Sequence, residues 1–285
     1  MNEKRQVIAW GRYELDFSLS TAVMGILNIT PDSFSDGGSY NTPEEVAERA
    51  KLLVRQGADI LDIGGESTRP GAVPITAAEE LRRVIPAVQA VRQAVDVPLS
   101  VDTYKAEVAK QALDAGADMI NDVWGAKKDV DMAAVAAAYD VPIVLMHNRN
   151  NMDYVNLVED VKNDLNESIE ICLAHGVKKE RIILDPGIGF AKTYEDNIHI
   201  MRRLEEFKAL GYPLLLGTSR KSLISKTLDL PVDQRVEGTG ATVCLGIEKG
   251  SDIIRVHDVL EMSRMAKMMD VMLGKGNEPL APSGS

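Results

Sequence analysis

A chain of 285 residues is long enough for one α/β barrel of about 250 residues or for two smaller domains. Its 45% apolar and 26% charged content supports a packed core and excludes a disordered chain. A net charge of −11 repels nucleic acid and anionic membranes over most of the surface, so neither is expected as a partner, and any anionic ligand must meet a local positive pocket.

Cys172 and Cys244 both sit in apolar helical contexts, with neither metal spacing nor a disulfide framework; they read as small hydrophobes of a reducing compartment. The first residues mix charge with apolar side chains, and no run approaches the roughly 18 apolar residues of a membrane span. A cytoplasmic protein is expected.

In chain order, "VIAWGRYELDFS" alternates about a turn at Gly11 and Arg12, which predicts a hairpin. Eight aliphatic or β-branched runs then predict strands at 21–29, 59–64, 98–102, 118–123, 142–146, 181–185, 213–217 and 252–256. Segments of 3.6-residue apolar period lie between them. In "TPEEVAERAKLLVRQG", Thr42 suits the cap, Pro43 the first helical position, Glu45 a capping box and Gly57 a left-handed stop. "TAAEELRRVIPAVQAV" repeats the scheme from Thr76 and Glu79, with Pro86 predicting a bend. Near-continuously apolar strands, no low-complexity linker and no GxGxxG favour a closed (β/α)8 TIM barrel, floored by the N-terminal β-hairpin, over an open doubly wound sheet. A single domain over 1–275 and a disordered tail over 276–285 are expected.

A short repeat sharpens the barrel. "GADILDI" (57–63), "GADMIND" (116–122) and "GSDIIRV" (250–256) each place a helix-ending Gly before a strand, in barrel strands two, four and eight. Counting from each Gly sets Asp62, Asn121 and Arg255 at one strand position, and alternate strands share an inward layer. Three polar groups should converge there.

The strand ends carry Asn28, Asp62, Asp102, Asn121, His147, Asp185, Lys221, Arg255 and His257, at the face where barrels build active sites. Each alone reads equally as a cap or turn residue, and Asp62 equally as an ion-pair partner for a barrel arginine. Together they favour a binding site, because burying so many charges without a ligand costs several kcal/mol apiece unless they are paired. Asp102, Asn121 and Asp185 suit a flat heterocycle with ring N–H and amine donors. Arg255 and His257 follow strand eight, a common phosphate position, and Asn28 offers an oxygen to a hard cation that bridges phosphates. "GTSRKSLISK" starts a helix near Ser219–Ser222 whose free N–H groups suit a smaller anion, and Lys221 suits a ring with an oxygen beyond it. Two long loops, 30–41 and 64–75, read as arms over the mouth. Phe34 and Pro70 would close on a planar substrate that Thr68 and Arg69 orient.

The motifs "MGILNITPDSFSDGG", "DIGGESTRPGA", "SVDTYK", "INDV", "DPGIGF", "GTSRKS" and "IRVHDV", spread over residues 22–260, closely resemble those of the dihydropteroate synthases. That resemblance implies a transferase condensing 6-hydroxymethyl-7,8-dihydropterin pyrophosphate with para-aminobenzoate, using magnesium. It implies that Asp102, Asn121, Asp185 and Lys221 hold the pterin, and that Asn28, Arg255 and His257 hold pyrophosphate and metal. Thr68, Arg69, Pro70, Phe34, Lys221 and Ser222 would form the aminobenzoate site, with Phe34 and Asp36 on the arm that completes it. A homodimer through late helices is implied too. "VLEMSRMAKMMDVML" (259–273) reads either as a face packed on the barrel or as that interface. The rival readings are a methyltetrahydrofolate methyltransferase of the same barrel type, which needs no pyrophosphate clamp, and a pterin binder without turnover. A Schiff-base aldolase is disfavoured, since Lys221 stands at a helix start rather than inside a strand.

Overall fold

The computed structural model describes residues 6–29, 42–67 and 72–276. Phe34, Asp36, Thr68, Arg69 and Pro70 lie outside them, as do residues 277–285 of the expected tail. Gly276, expected in that tail, donates its N–H to Ser18 O at 3.2 Å and so belongs to the fold.

The chain opens with the expected hairpin, β1 (Val7–Trp10) pairing antiparallel with β2 (Tyr13–Asp16). The eight predicted strands then appear within two residues of their expected ends. They are β3 (Ala22–Asn28), β4 (Ile60–Gly64), β5 (Leu99–Asp102), β6 (Met119–Asp122), β7 (Ile143–Met146), β8 (Ile182–Asp185), β9 (Leu215–Leu216) and β10 (Ile253–Val256). All pair in parallel in the order β8-β7-β6-β5-β4-β3-β10-β9. A parallel bridge between Leu184 and Leu214 joins the two ends and closes the ring. The barrel expected from the strand–helix alternation is the observed fold.

The helices around the ring are α1 (Pro43–Gln56), α2 (Ala77–Ala94), α3 (Ala106–Asp114), α4 (Met132–Tyr139), α5 (Leu157–Ala174), α6 (Tyr194–Arg202), α7 (Glu205–Lys208), α8 (Ser222–Leu228), α9 (Val236–Glu248) and α10 (Val259–Met272). Thr42 and Glu45 make the reciprocal capping box of α1, and Gly57 ends it at φ 106°. Thr76 caps α2 through the Glu79 N–H. That helix continues unbroken through Pro86, so the missing N–H is absorbed inside one helix of 18 residues.

Two apolar clusters sit on either side of the strands. One fills the space between strands and helices. The other fills the lower barrel, where Ala22, Met24, Ile60, Met119, Val144, Ile183, Leu215 and Ile253 meet Ile8, Trp10 and Phe17 from the hairpin segment. The hairpin is therefore the floor, pinned by the Trp10 Nε1 hydrogen bond to Asp118 O at 2.9 Å.

The repeat has a second function that its pattern did not disclose. Its aspartates, Asp59, Asp118 and Asp252, each accept a backbone N–H from the neighbouring strand or the residue just before it: Val23 at 2.8 Å, Leu99 at 2.9 Å and Leu214 at 2.8 Å. Each one stitches a strand entry to its neighbour beside the floor.

Candidate active site

Side chains alternate faces along a strand, so the residue two beyond an inward one also points inward. On β4, β6, β8 and β10 the inward residues near the floor are Ile60, Met119, Ile183 and Ile253. Two steps toward the mouth stand Asp62, Asn121, Asp185 and Arg255. The three groups expected in one layer are there, and Asp185 makes a fourth.

Arg255 organises this layer. Its Nε donates to Asp62 Oδ2 and its Nη2 to Asp102 Oδ2, both at 2.6 Å, while Asn121 Nδ2 donates to Asp62 Oδ2 at 3.0 Å. Of the two readings open for Asp62, ion-pair partner of a barrel arginine is the one observed. Two bonds use two of the five guanidinium N–H groups, leaving three for other acceptors. Asp62 and Asp102 are buried, and the Oδ1 of each has no hydrogen-bond partner among the described residues. A buried carboxylate oxygen left unmatched in this way costs about 1–3 kcal/mol or more, so it calls for a donor from outside the chain.

Two glycines leave room for such a donor. A Cβ on Gly217 would meet Lys221 Nζ at 3.7 Å, Asp185 Oδ2 at 3.9 Å and Arg255 Cβ at 4.0 Å, so these three groups border one space. A Cβ on Gly64 would meet Asn28 Oδ1 at 3.6 Å and Asp102 Oδ2 at 3.7 Å, which sets Asn28 on the Asp102 side of the mouth. Lys221 donates to Ile188 O and its ammonium lies 4.8 Å from the centre of the Phe190 ring. Ser222, the first residue of α8, is exposed. His257 shares hydrogen bonds with Ser219, ring Nδ1 to Oγ at 2.9 Å and backbone N–H to Oγ at 3.1 Å.

The electrostatics follow from burial against neighbours. Burial pushes the Asp102 carboxyl up to about 7, with Arg255 pulling it down and Asp62 pushing it up. Burial also raises Asp185, opposed by Lys221, the Gly187 N–H, Lys192 and Arg255. For Lys221, burial lowers the ammonium to about 8 while Asp185 supports its charge. Asp102 and Lys221 thus sit close to their titration points near neutral pH, with the raised Asp185 carboxyl beside them, the condition expected of a working site.

His147, expected among the mouth residues, is committed elsewhere: Nε2 faces Asp164 Oδ2 at 2.9 Å and Nδ1 takes Lys192 Nζ at 2.8 Å. Three further groups were missed. Arg220 forks onto Asp258 at 2.6 and 3.0 Å and anchors the loop before α8. Lys105, just after β5, bonds Glu66 and Glu80, while Tyr104 OH reaches Glu66 at 3.0 Å, which braces the base of the 64–75 loop. Phe190, Lys105 and Arg220 lie inside the quoted motifs "DPGIGF", "SVDTYK" and "GTSRKS", which gave them no role of their own; Lys192 gave no signal beyond residue type.

Residues 24–257 match the model of a family described as pterin binding enzyme. The dihydropteroate synthase of Bacillus subtilis is 57% identical over 274 residues, 96% of each chain. The solved dihydropteroate synthase of Clostridium difficile, in the presence of pteroic acid, superposes with a TM-score of 0.86 at 53% identity, covering 89% of this chain and 97% of that one. That of Xanthomonas albilineans with 4-aminobenzoic acid does so with a TM-score of 0.88 at 38% identity, covering 97% of this chain and 100% of the other.

The chain belongs to the dihydropteroate synthase family. It is accordingly a transferase, and its reaction joins 6-hydroxymethyl-7,8-dihydropterin pyrophosphate to para-aminobenzoate, giving 7,8-dihydropteroate and pyrophosphate for folate synthesis. Dihydropteroate synthase chemistry suits the layer described above, in which acids and an amide stand beside the cations Arg255 and Lys221. Among the described residues no helix is long and apolar enough to cross a membrane.

Proposed function

We propose that Asp102, Asn121, Asp185 and Lys221 grip the pterin, and that Asn28, Arg255 and His257 take its diphosphate. The observation that carries this is the buried Asp102 Oδ1, which lacks a partner among the described residues and belongs to a carboxylate that Arg255 ties to the layer of Asp62, Asn121 and Asp185. A ring N–H and an exocyclic amine supply the donors that such oxygens need. Phe34, Thr68, Arg69, Pro70, Lys221 and Ser222 would receive the aminobenzoate, a role that rests on the family resemblance. The 4-aminobenzoic acid of the Xanthomonas structure is that second ligand in a relative.

Magnesium belongs to the same proposal. Among the described residues no group of three or more His, Cys, Asp or Glu is placed to hold a metal ion. The donors fit a magnesium held mainly by diphosphate oxygens and its own waters, with the hard oxygen of Asn28 added. When bound, it would neutralise charge on the leaving diphosphate.

Arg255 and His257 stabilise the diphosphate as the C–O bond to the pterin methylene breaks, and the bond's electrons leave with it. The carbon that remains is cationic and conjugated to the ring. Asp102 and Asp185 face that charge and stabilise it when ionised, while the arm bearing Phe34 and Asp36 excludes water until the arylamine nitrogen attacks and loses its proton. Pterin pyrophosphate incubated without aminobenzoate should then release pyrophosphate slowly, and faster with it; chelating magnesium should suppress both. No release without the amine, together with isotope effects on both bonds at once, would exclude the stepwise path. Binding of the pterin with no pyrophosphate release under any condition would favour the binder reading.

We infer a homodimer formed through the late helices. The methionine stripe of α10 divides: Met262, Met265 and Met269 face the core, whereas Met268 and Met272, with Val271 and Leu273, are about half exposed. The exposed set recurs at helical spacing and suits a flat apolar contact. Light scattering should give twice the chain mass, and a single-chain mass at working concentration would remove the inference. Free Cys172 and Cys244 accord with a cytoplasmic location.

A further inference from the structure

Lys192 lies in the turn between β8 and α6, is only 8% exposed, and has no part in the steps above. An ammonium has three N–H groups, and three acceptors surround it: His147 Nδ1 at 2.8 Å, Gly187 O at 3.0 Å and Phe190 O at 3.1 Å. For Nδ1 to accept, the imidazole proton must be on Nε2, which faces the Asp164 carboxylate at 2.9 Å. Burial holds His147 down at about 4, so the ring is neutral at working pH and can accept. The arrangement is complete only with a charged lysine, because a neutral amine has two N–H groups for three acceptors.

The two carbonyls belong to a turn whose remaining groups touch the site. Gly187 N–H donates to Asp185 Oδ1 at 2.7 Å, Ile188 O accepts from Lys221, and the Phe190 ring lies under the Lys221 ammonium. Tyr154 OH to Ala191 O at 2.8 Å and Gly189 N–H to Asn197 Oδ1 at 2.6 Å tie down the outer edge of the turn. Its inner edge hangs on Lys192.

We propose that Lys192 is a positioning residue for the condensation: its ammonium gathers His147, Gly187 and Phe190 and thereby sets the Asp185 carboxylate and the Lys221 ammonium at the pterin. The inference rests on the reading of Asp185 and Lys221 as pterin-holding groups.

The charged groups that face Lys192 are Asp185 from β8, Lys221 ahead of α8, Asp196 on α6 and Asp164 on α5, with His147 just past β7. Burial pushes Lys192 down to about 7, Asp185 opposes that, and Lys221 adds to it. The sign is that of a base: the cation is present below this value and lost above it, so the turn loosens as pH rises. In the wild type, kcat/KM for pterin pyrophosphate, which reports free-enzyme ionisations, should rise as Asp102 ionises near 7 and then decline in two overlapping steps, Lys192 near 7 and Lys221 near 8.

In Lys192→Met, affinity for pterin pyrophosphate should fall about ten-fold or more, and the lower alkaline step should vanish, leaving the one near 8. His147→Ala retains the ammonium but removes one acceptor, so its affinity should fall less and the step should move to lower pH. Asp185→Asn serves as the reference. If Lys192→Met binds the pterin and follows pH as the wild type does, or if it fails to fold and His147→Ala is unchanged in both readouts, the positioning role is overturned. If Asp185→Asn itself keeps full pterin affinity, the site reading falls and this role with it; loss there with none in the Lys192 and His147 variants removes the role alone.

Discussion

Arg255→Met should leave a protein destabilised by about 3–5 kcal/mol and slowed by at least ~10³-fold in kcat/KM. One guanidinium bridges two buried carboxylates, with Nε on Asp62 and Nη2 on Asp102 at 2.6 Å each. Removing it leaves two acids in the barrel interior with Asn121 as the amide donor on Asp62. At neutral pH they must either stay charged without a cation or take up protons, and a protonated Asp102 offers a ring N–H a poorer acceptor. The same loss removes the cation proposed to hold the diphosphate. Lysine does not repair this, because a point charge on a flexible stem spans two carboxylates badly. Urea unfolding and steady-state kinetics measure the two effects separately. Arg255→Met with Asp62→Asn and Asp102→Asn should regain much of the stability and none of the activity. A single Arg255→Met variant as stable as the wild type would mean that the acids are not held by this residue.

Gly187→Ala should cost about 3 kcal/mol and reduce pterin affinity by about 100-fold. Gly187 has φ 70°, already unfavourable for a Cβ, and that Cβ would stand 2.0 Å from His147 O. Backbone contacts at that range are impossible, so either the end of β7 or the turn must move. The turn carries the N–H that holds Asp185 Oδ1 and the carbonyl that holds Lys221. Gly176→Ala is the matched control: its φ is 89°, with nothing within 4 Å of the added carbon. It should show the left-handed backbone cost of about 1–2 kcal/mol and full activity. Equal losses in the two variants would show that the close approach to His147 contributes nothing.

Strand positions and helix caps were legible because both depend on local chemistry: β-branched runs between turn residues, and Thr–Pro–x–Glu ahead of an apolar period. Asp62, Asn121 and Arg255 were legible as one layer because the same Gly-to-strand interval precedes each. Asp185 belongs to that layer too, but the interval is broken, since after Gly176 a short turn at Lys179–Arg181 intervenes before β8. Counting from the glycine therefore missed it. His147 stands at the end of β7 as expected, but its commitments were not legible: its partners, Asp164 and Lys192, come from α5 and from the turn before α6, and no local pattern links three such distant positions. Bracing groups such as Lys105 on Glu66 and Glu80 escape for the same cause, as their meaning lies in what the fold brings against them.

The repeated Gly–x–Asp unit holds its structural carboxylate three residues before its position in the inward polar layer, about 10 Å along the strand. Assembly and chemistry are thus written at opposite ends of one short phrase. A library varied at 62, 121 and 255 while 59, 118 and 252 stay fixed could retool the barrel for a different ring. Because Arg255 neutralises its acids jointly, such variants must change in concert, and single exchanges would be culled as misfolders before any new specificity was seen.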